Sequence, residues 1–139
     1  MKEYQLEEMS TNFEYAFRLD VMNRLASKGE YDKFNAINGF YSTAVTSIGW
    51  TPDARPNERA AYKKVQLADG TVKWEYISPM GLTEAEYSEL GAYADAVALA
   101  ARKARTYIGQ DDSKYLEYVR KETEAKEAFN EAYLRVIKK

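Results

Sequence analysis

The stretch Thr83–Gly109, TEAEYSELGAYADAVALAARKARTYIG, decides the architecture. Thr83 followed three residues later by Glu86 is a capping box, and Gly109 offers a stop, so a long helix is predicted from the one to Ile108. Within it Tyr87, Leu90, Ala94, Val97, Ala101, Ala104 and Ile108 recur in steps of three and four and form one apolar seam. Alanine dominates the seam, and such small side chains let a neighbouring helix approach closely. A second row, Ala92, Ala96 and Leu99, widens the arc, so this helix is expected to be covered on more than one side.

Beyond it, Asp111 and Asp112 stand where caps of a last helix would, about 25 residues long and reaching nearly to the C-terminus. Its stripe is Tyr115, Tyr118, Val119, Ala125, Phe129, Ala132 and Val136. A short connection between two long helices implies an antiparallel αα-hairpin. Glu122 falls inside the stripe. Its carboxylate is expected to reach solvent or an arginine such as Arg102, the sharper alternative being a buried acid in a ligand pocket.

Before the long helix, residues 62–67 and 71–77 alternate around Asp69-Gly70, the strongest hairpin signal in the chain. Val65 and Leu67 point one way, Lys64 and Gln66 the other, and Val72, Trp74 and Tyr76 share a face on the return strand. A lone hairpin is marginal in water, so its apolar face is expected to pack on the helices, with Trp74 in the core. Residues 50–59 hold Pro52 and Pro56 and read as an irregular loop. Residues 31–48 are open to two readings. Tyr31, Phe34, Ile37, Tyr41, Ala44, Val45 and Ile48 fit a helix ending at Gly49, whereas Asn38-Gly39 with β-branched Thr43, Val45, Thr46 and Ile48 would serve a hairpin; the periodicity favours helix. At the start, a capping box at Thr11–Glu14 and Phe13, Phe17, Val21 and Leu25 predict a helix that Gly29 stops. The class is therefore α+β, predominantly helical, with about four helices and one β-hairpin at residues 62–77, in a single domain over residues 1–139.

Composition narrows the chemistry. Neither histidine nor cysteine occurs among the 139 residues. Imidazole acid–base catalysis, thiolate nucleophiles and tetrahedral zinc sites are thereby excluded, and no enzyme activity, cofactor or metal is expected. Twenty Lys and Arg against 22 Asp and Glu give a net charge of −2. With no long-range positive field, nucleic acid is not an expected partner. The acidic start lacks the apolar segment of a signal peptide, no run approaches the roughly 20 apolar residues of a membrane span, and a cytoplasmic setting is expected.

Candidate contacts come from the aromatic and basic residues. Arg55 and Arg59 lie in the Pro-stiffened loop and could clamp a carboxylate or phosphate, although Asp53 and Glu58 can satisfy them locally. Trp50 reads equally as core anchor or interface residue. Twelve tyrosines are unusual for this length, and Tyr15, Tyr41, Tyr62, Tyr107 and Tyr133 are those whose exposure would matter. Arg102, Lys103, Arg105 and Lys114 crowd the end of the long helix, where complementation of the helix dipole explains them better than a nucleic-acid patch. The functional expectation is a non-enzymatic protein-interaction protein, an accessory, inhibitor or assembly factor of the kind viruses and mobile elements encode. It would bind another protein or its own copies, as an oligomer, through Trp50, Arg55, Arg59, Tyr41 and Tyr107. The alternative is a small anionic ligand in a Tyr/Trp-lined pocket anchored by the two arginines.

Overall fold

A computed structural model describes residues 28–138 together with Ala16 and Asp20. Three α-helices and one hairpin follow in order: α1 (Lys28–Ile48), β1 (Tyr62–Gln66), β2 (Val72–Tyr76), α2 (Glu84–Thr106) and α3 (Asp112–Ile137), with short 3-10 turns at Pro56–Glu58 and Pro79–Gly81. The class is as expected, but the described residues hold three helices rather than about four. The helix expected from Thr11, with Tyr15 on it, lies outside the described residues apart from Ala16 and Asp20, which are helical. Gly29, read as a stop, lies inside the first turn of α1 instead.

Residues 31–48 are helix, and the hydroxyls show why β-branched residues are tolerated there. Thr43, Thr46 and Ser47 donate to the carbonyls of Gly39, Ser42 and Thr43, at 3.1, 2.8 and 2.9 Å. Each polar side chain is satisfied by its own helix. Asn38-Gly39 makes no turn. Gly49 ends the helix at φ 68°, and a Cβ there would come within 2.9 Å of the Ala61 backbone nitrogen, so the chain turns back at a residue that must be glycine.

The two capped helices behave as their sequences require. Thr83 accepts from the Glu86 amide while Glu86 accepts from the Thr83 amide, and Asp111 accepts from the Lys114 amide at 2.9 Å. Packed along their length, α2 and α3 form the αα-hairpin, and α1 lies against α3. Tyr87, Leu90, Ala94, Phe129, Ala132 and Ile48 meet in the main core, and Phe34, Ala104, Tyr115, Leu116 and Val119 in a second cluster. Fully burying a side chain such as Phe129 stabilises by about 2–3 kcal/mol. The second row of α2 is not covered: Ala92, Ala96 and Leu99 face solvent among the described residues, Leu99 at 50% exposure.

Glu122 overturns the expectation of a carboxylate reaching solvent or Arg102, and is buried as in the alternative. It reaches neither solvent nor Arg102, which pairs with Asp53. Instead it is buried and holds the equally buried Lys126 ammonium at 2.5 Å, one helical turn on; Lys126 also donates to Asn38 Oδ1 at 2.6 Å and lies 5.0 Å from the Phe34 ring. A charged pair thus sits in the α1–α3 interface. Separately, no helix among the described residues is long and apolar enough to cross a membrane.

Candidate functional site

Most residues singled out in the sequence prove to be structural. Trp50, half-buried just past the end of α1, packs on α2: its ring lies 5.0 Å from that of Tyr87, its Nε1 donates to Asp95 at 3.0 Å, and it rests directly on Gly91. Arg59 covers the other side, its guanidinium 3.9 Å from the ring centroid, and donates through Nε to the Thr51 carbonyl at 3.4 Å. Asp53 turns away to Arg102, and Glu58 accepts from the Arg55 backbone amide at 3.2 Å. Arg55 itself is exposed, so the loop brings no two arginines into a clamp.

The tyrosines are shared between core and rim. Tyr41 stands edge-on to Phe129 at 5.1 Å, and burial, with the Glu122 carboxylate nearby, pushes its hydroxyl up to about 12. Tyr107 stacks on Tyr118 at 5.6 Å with Lys114 above it, tying the α2 end to α3. Tyr62 donates to Glu84 at 3.2 Å, and Tyr133 donates to the Met80 sulfur at 3.2 Å. A depression between α1 and α3 is crossed by the Glu30–Arg120 and Lys33–Glu127 ion pairs.

The hairpin is where the molecule departs from the expectation of a covered apolar face. Its pairing is Tyr62 with Tyr76, Lys64 with Trp74 and Gln66 with Val72 on one face, Lys63 with Glu75 and Val65 with Lys73 on the other. Val65 therefore lies on the opposite side from Val72 and Trp74, so neither face of the sheet is wholly apolar. Only the base is docked. There Tyr62 and Tyr76 pack ring to ring at 5.5 Å and both meet Tyr87, while the Tyr76 hydroxyl donates to the Leu82 carbonyl at 2.8 Å at the start of α2.

The rest stands away from the helices. Leu67, Val72, Trp74 and Ile77 are 43, 46, 39 and 47% exposed, which places Trp74 outside the core. Asp69 holds the tip in shape, accepting from both the amide and the hydroxyl of Thr71, at 3.0 and 2.6 Å. Those bonds keep its carboxyl below its ordinary range. Just beyond β2, Ser78 and Met80 adopt left-handed backbone at φ 55° and 56°, and the exposed Met80 is held out beside Tyr133, itself in edge contact with exposed Phe40 at 6.0 Å. Strain at two non-glycine residues marks a segment whose shape the surroundings dictate.

The backbone of β2 is as open as its side chains. Ile77 donates to Ala61 at 2.9 Å and Leu67 to Thr71 at 2.8 Å, so the ladder bonds belong to the odd-numbered pairs. In an antiparallel pair the alternate residues turn their amides and carbonyls outward, here those of Val72, Trp74 and Tyr76. The sheet has two strands among the described residues, and the Pro56–Glu58 turn flanks β1. The turn explains the split of apolar residues between faces. The loop is three residues, 68–70, with Leu67 and Thr71 as the closing pair, whereas a two-residue Asp69-Gly70 turn would have set Val65 opposite Trp74 and kept the apolar residues on one face.

No family model matches the chain, and neither a curated protein nor a solved structure shows significant similarity to it.

Proposed function

We propose that this protein works by docking to another protein, without catalysis, as an accessory, inhibitor or assembly factor. The observation that carries the reading is the projecting hairpin, on which Val72 and Trp74 stay exposed on one face beside an open strand edge. Exposed apolar side chains clustered on one element mark contact surfaces, and tryptophan is the residue most enriched at their energetic centres. Unpaired strand amides add a second mode of attachment, since a partner strand can extend the sheet. The contact residues are thus Val72 and Trp74 rather than Trp50 and Arg59. The alternative reading, a small anionic ligand held by Arg55 and Arg59, draws less support, because Arg59 lies over Trp50 and the loop forms no clamp. A cytoplasmic setting belongs to the same proposal and rests on the composition.

The test is a photo-reactive side chain at position 72, cross-linked in the native host, with position 121 on α3 as control. A discrete adduct from position 72 and none from 121 supports the reading. Absence of any adduct from 72 overturns it.

A further inference from the structure

We propose that β2 pairs with β2 of a second copy of this chain, antiparallel and centred on Trp74, to make a four-stranded sheet across a two-fold axis. The inference deepens the docking reading and rests on it. Three features of the edge point to a copy of the same strand as its occupant.

The first is hydrogen-bond phase. The outward groups are those of Val72, Trp74 and Tyr76, so a two-fold centred on Trp74 sets Trp74 against Trp74 of the copy and Val72 against Tyr76 of the copy, each pair presenting donors and acceptors to the other. The second is charge. In that register Lys73 stands directly across from Glu75 of the copy, and the symmetry repeats the contact, giving two opposite-charge pairs on one face. Shifting the axis to residue 73 places two lysines face to face, and shifting it to residue 75 places two glutamates; directly opposed like charges destabilise a strand pair. Of the three central axes only the one at Trp74 opposes unlike charges, and axes at residues 72 or 76 leave most of the strand unpaired. The third is the contrast with the other edge. Self-pairing of β1 in the same manner opposes Lys64 to Lys64, and the Pro56–Glu58 turn flanks that strand.

On the opposite face, Val72, Trp74 and Tyr76 would run into their symmetry mates as one apolar strip. This is the isologous arrangement in which each contact occurs twice. The paired segment is short, well below the extent of a standard interface of about 1,600 Å², so the dimer forms reversibly, at micromolar rather than nanomolar concentration.

Sedimentation velocity on the full chain, from about 1 to 500 µM, tests the pairing by charge exchange. The unaltered chain is expected to shift from monomer to dimer across that range. Lys73→Glu and Glu75→Lys should each weaken association at least tenfold, because each places like charges across the axis. Mixed in equal amounts, the two variants should associate with each other as tightly as the unaltered chain does with itself. Glu75→Lys also faces Lys63 within the hairpin, so circular dichroism accompanies it. Val72→Pro provides a variant that removes an outward amide at the first residue of the strand and leaves the β1 ladder intact; it too should abolish the dimer. A chain that stays monomeric throughout, single variants that associate unchanged, or a mixture that fails to associate overturns the proposal. Monomer in solution together with a cross-link from position 72 to a different protein removes self-pairing and leaves docking standing. Monomer with no cross-link removes both.

Discussion

Trp50 and Gly91 are in direct contact: a Cβ on Gly91 would lie 2.2 Å from the indole ring. The glycine sits in the interior of α2, where alanine would be favoured by about 1 kcal/mol on helix propensity alone. It is kept open by the ring, and the ring in turn joins the end of α1 to α2 through Tyr87 and Asp95.

Gly91→Ala should therefore destabilise despite the better helix former. Overpacking of about 1–3 kcal/mol outweighs the propensity gain, because the indole is stiff and pinned by Asp95 and Arg59. Urea unfolding should show a lower midpoint with an unchanged slope. A midpoint that rises would mean that the ring has room to move.

The two tryptophans should respond in opposite ways to truncation. Trp50→Ser is expected to cost about 3 kcal/mol, as for a large core aromatic, whereas Trp74→Ser should stay within about 1 kcal/mol, as for a surface position. Thermal melts of the two variants decide it. Equal losses would place Trp74 in the core after all.

This reversal shows how far the sequence was legible. Capping boxes and helix spacing rest on contacts within a few residues, and so Thr83 and Asp111 could be read directly. Asp69-Gly70 located the hairpin, but its register is set by a three-residue loop at 68–70 that the dipeptide does not specify. Where a tryptophan goes depends on residues 41 and 45 positions away in the chain, Gly91 and Asp95, and no local pattern records that. Asn38-Gly39 offered a turn that the helical periodicity of residues 31–48 outweighed, and α1 runs through it and packs on α3. Glu122 and Lys126 did carry a local signal in their four-residue spacing, the arrangement in which opposite charges meet on a helix. Their burial came from α1, which the spacing does not encode.

The Glu122–Lys126 pair should be strongly non-additive. Lys126→Met takes the ammonium from beside a buried carboxylate and is expected to cost about 3–5 kcal/mol, while replacing both residues with methionine should recover most of that loss. A double-mutant cycle in urea measures the coupling. Additive single losses would contradict the buried pairing.

Alkaline pH should destabilise the fold through Tyr41 and Tyr87, whose hydroxyls burial raises from 10.0 to about 12. Below about pH 10 both hydroxyls are protonated whether the chain is folded or not, and the stability they support is fully present. Between that point and about pH 12 the unfolded chain ionises first, so stability falls as pH rises. Tyrosinate absorbance should show these two groups ionising late. Tyr41→Phe and Tyr87→Phe should each remove a late component, and titration of every tyrosine near pH 10 in the folded chain would contradict the burial.

The central claim is that the outer edge of β2 is open in the single chain and closes on contact. Residue-resolved amide exchange on the dilute protein measures this most directly. The account predicts alternation along the strand, with the amides of Val72, Trp74 and Tyr76 exchanging fast and those of Lys73, Glu75 and Ile77 slowly, the fast set becoming protected once a partner is engaged. Uniform protection of all six at the lowest concentration would contradict it.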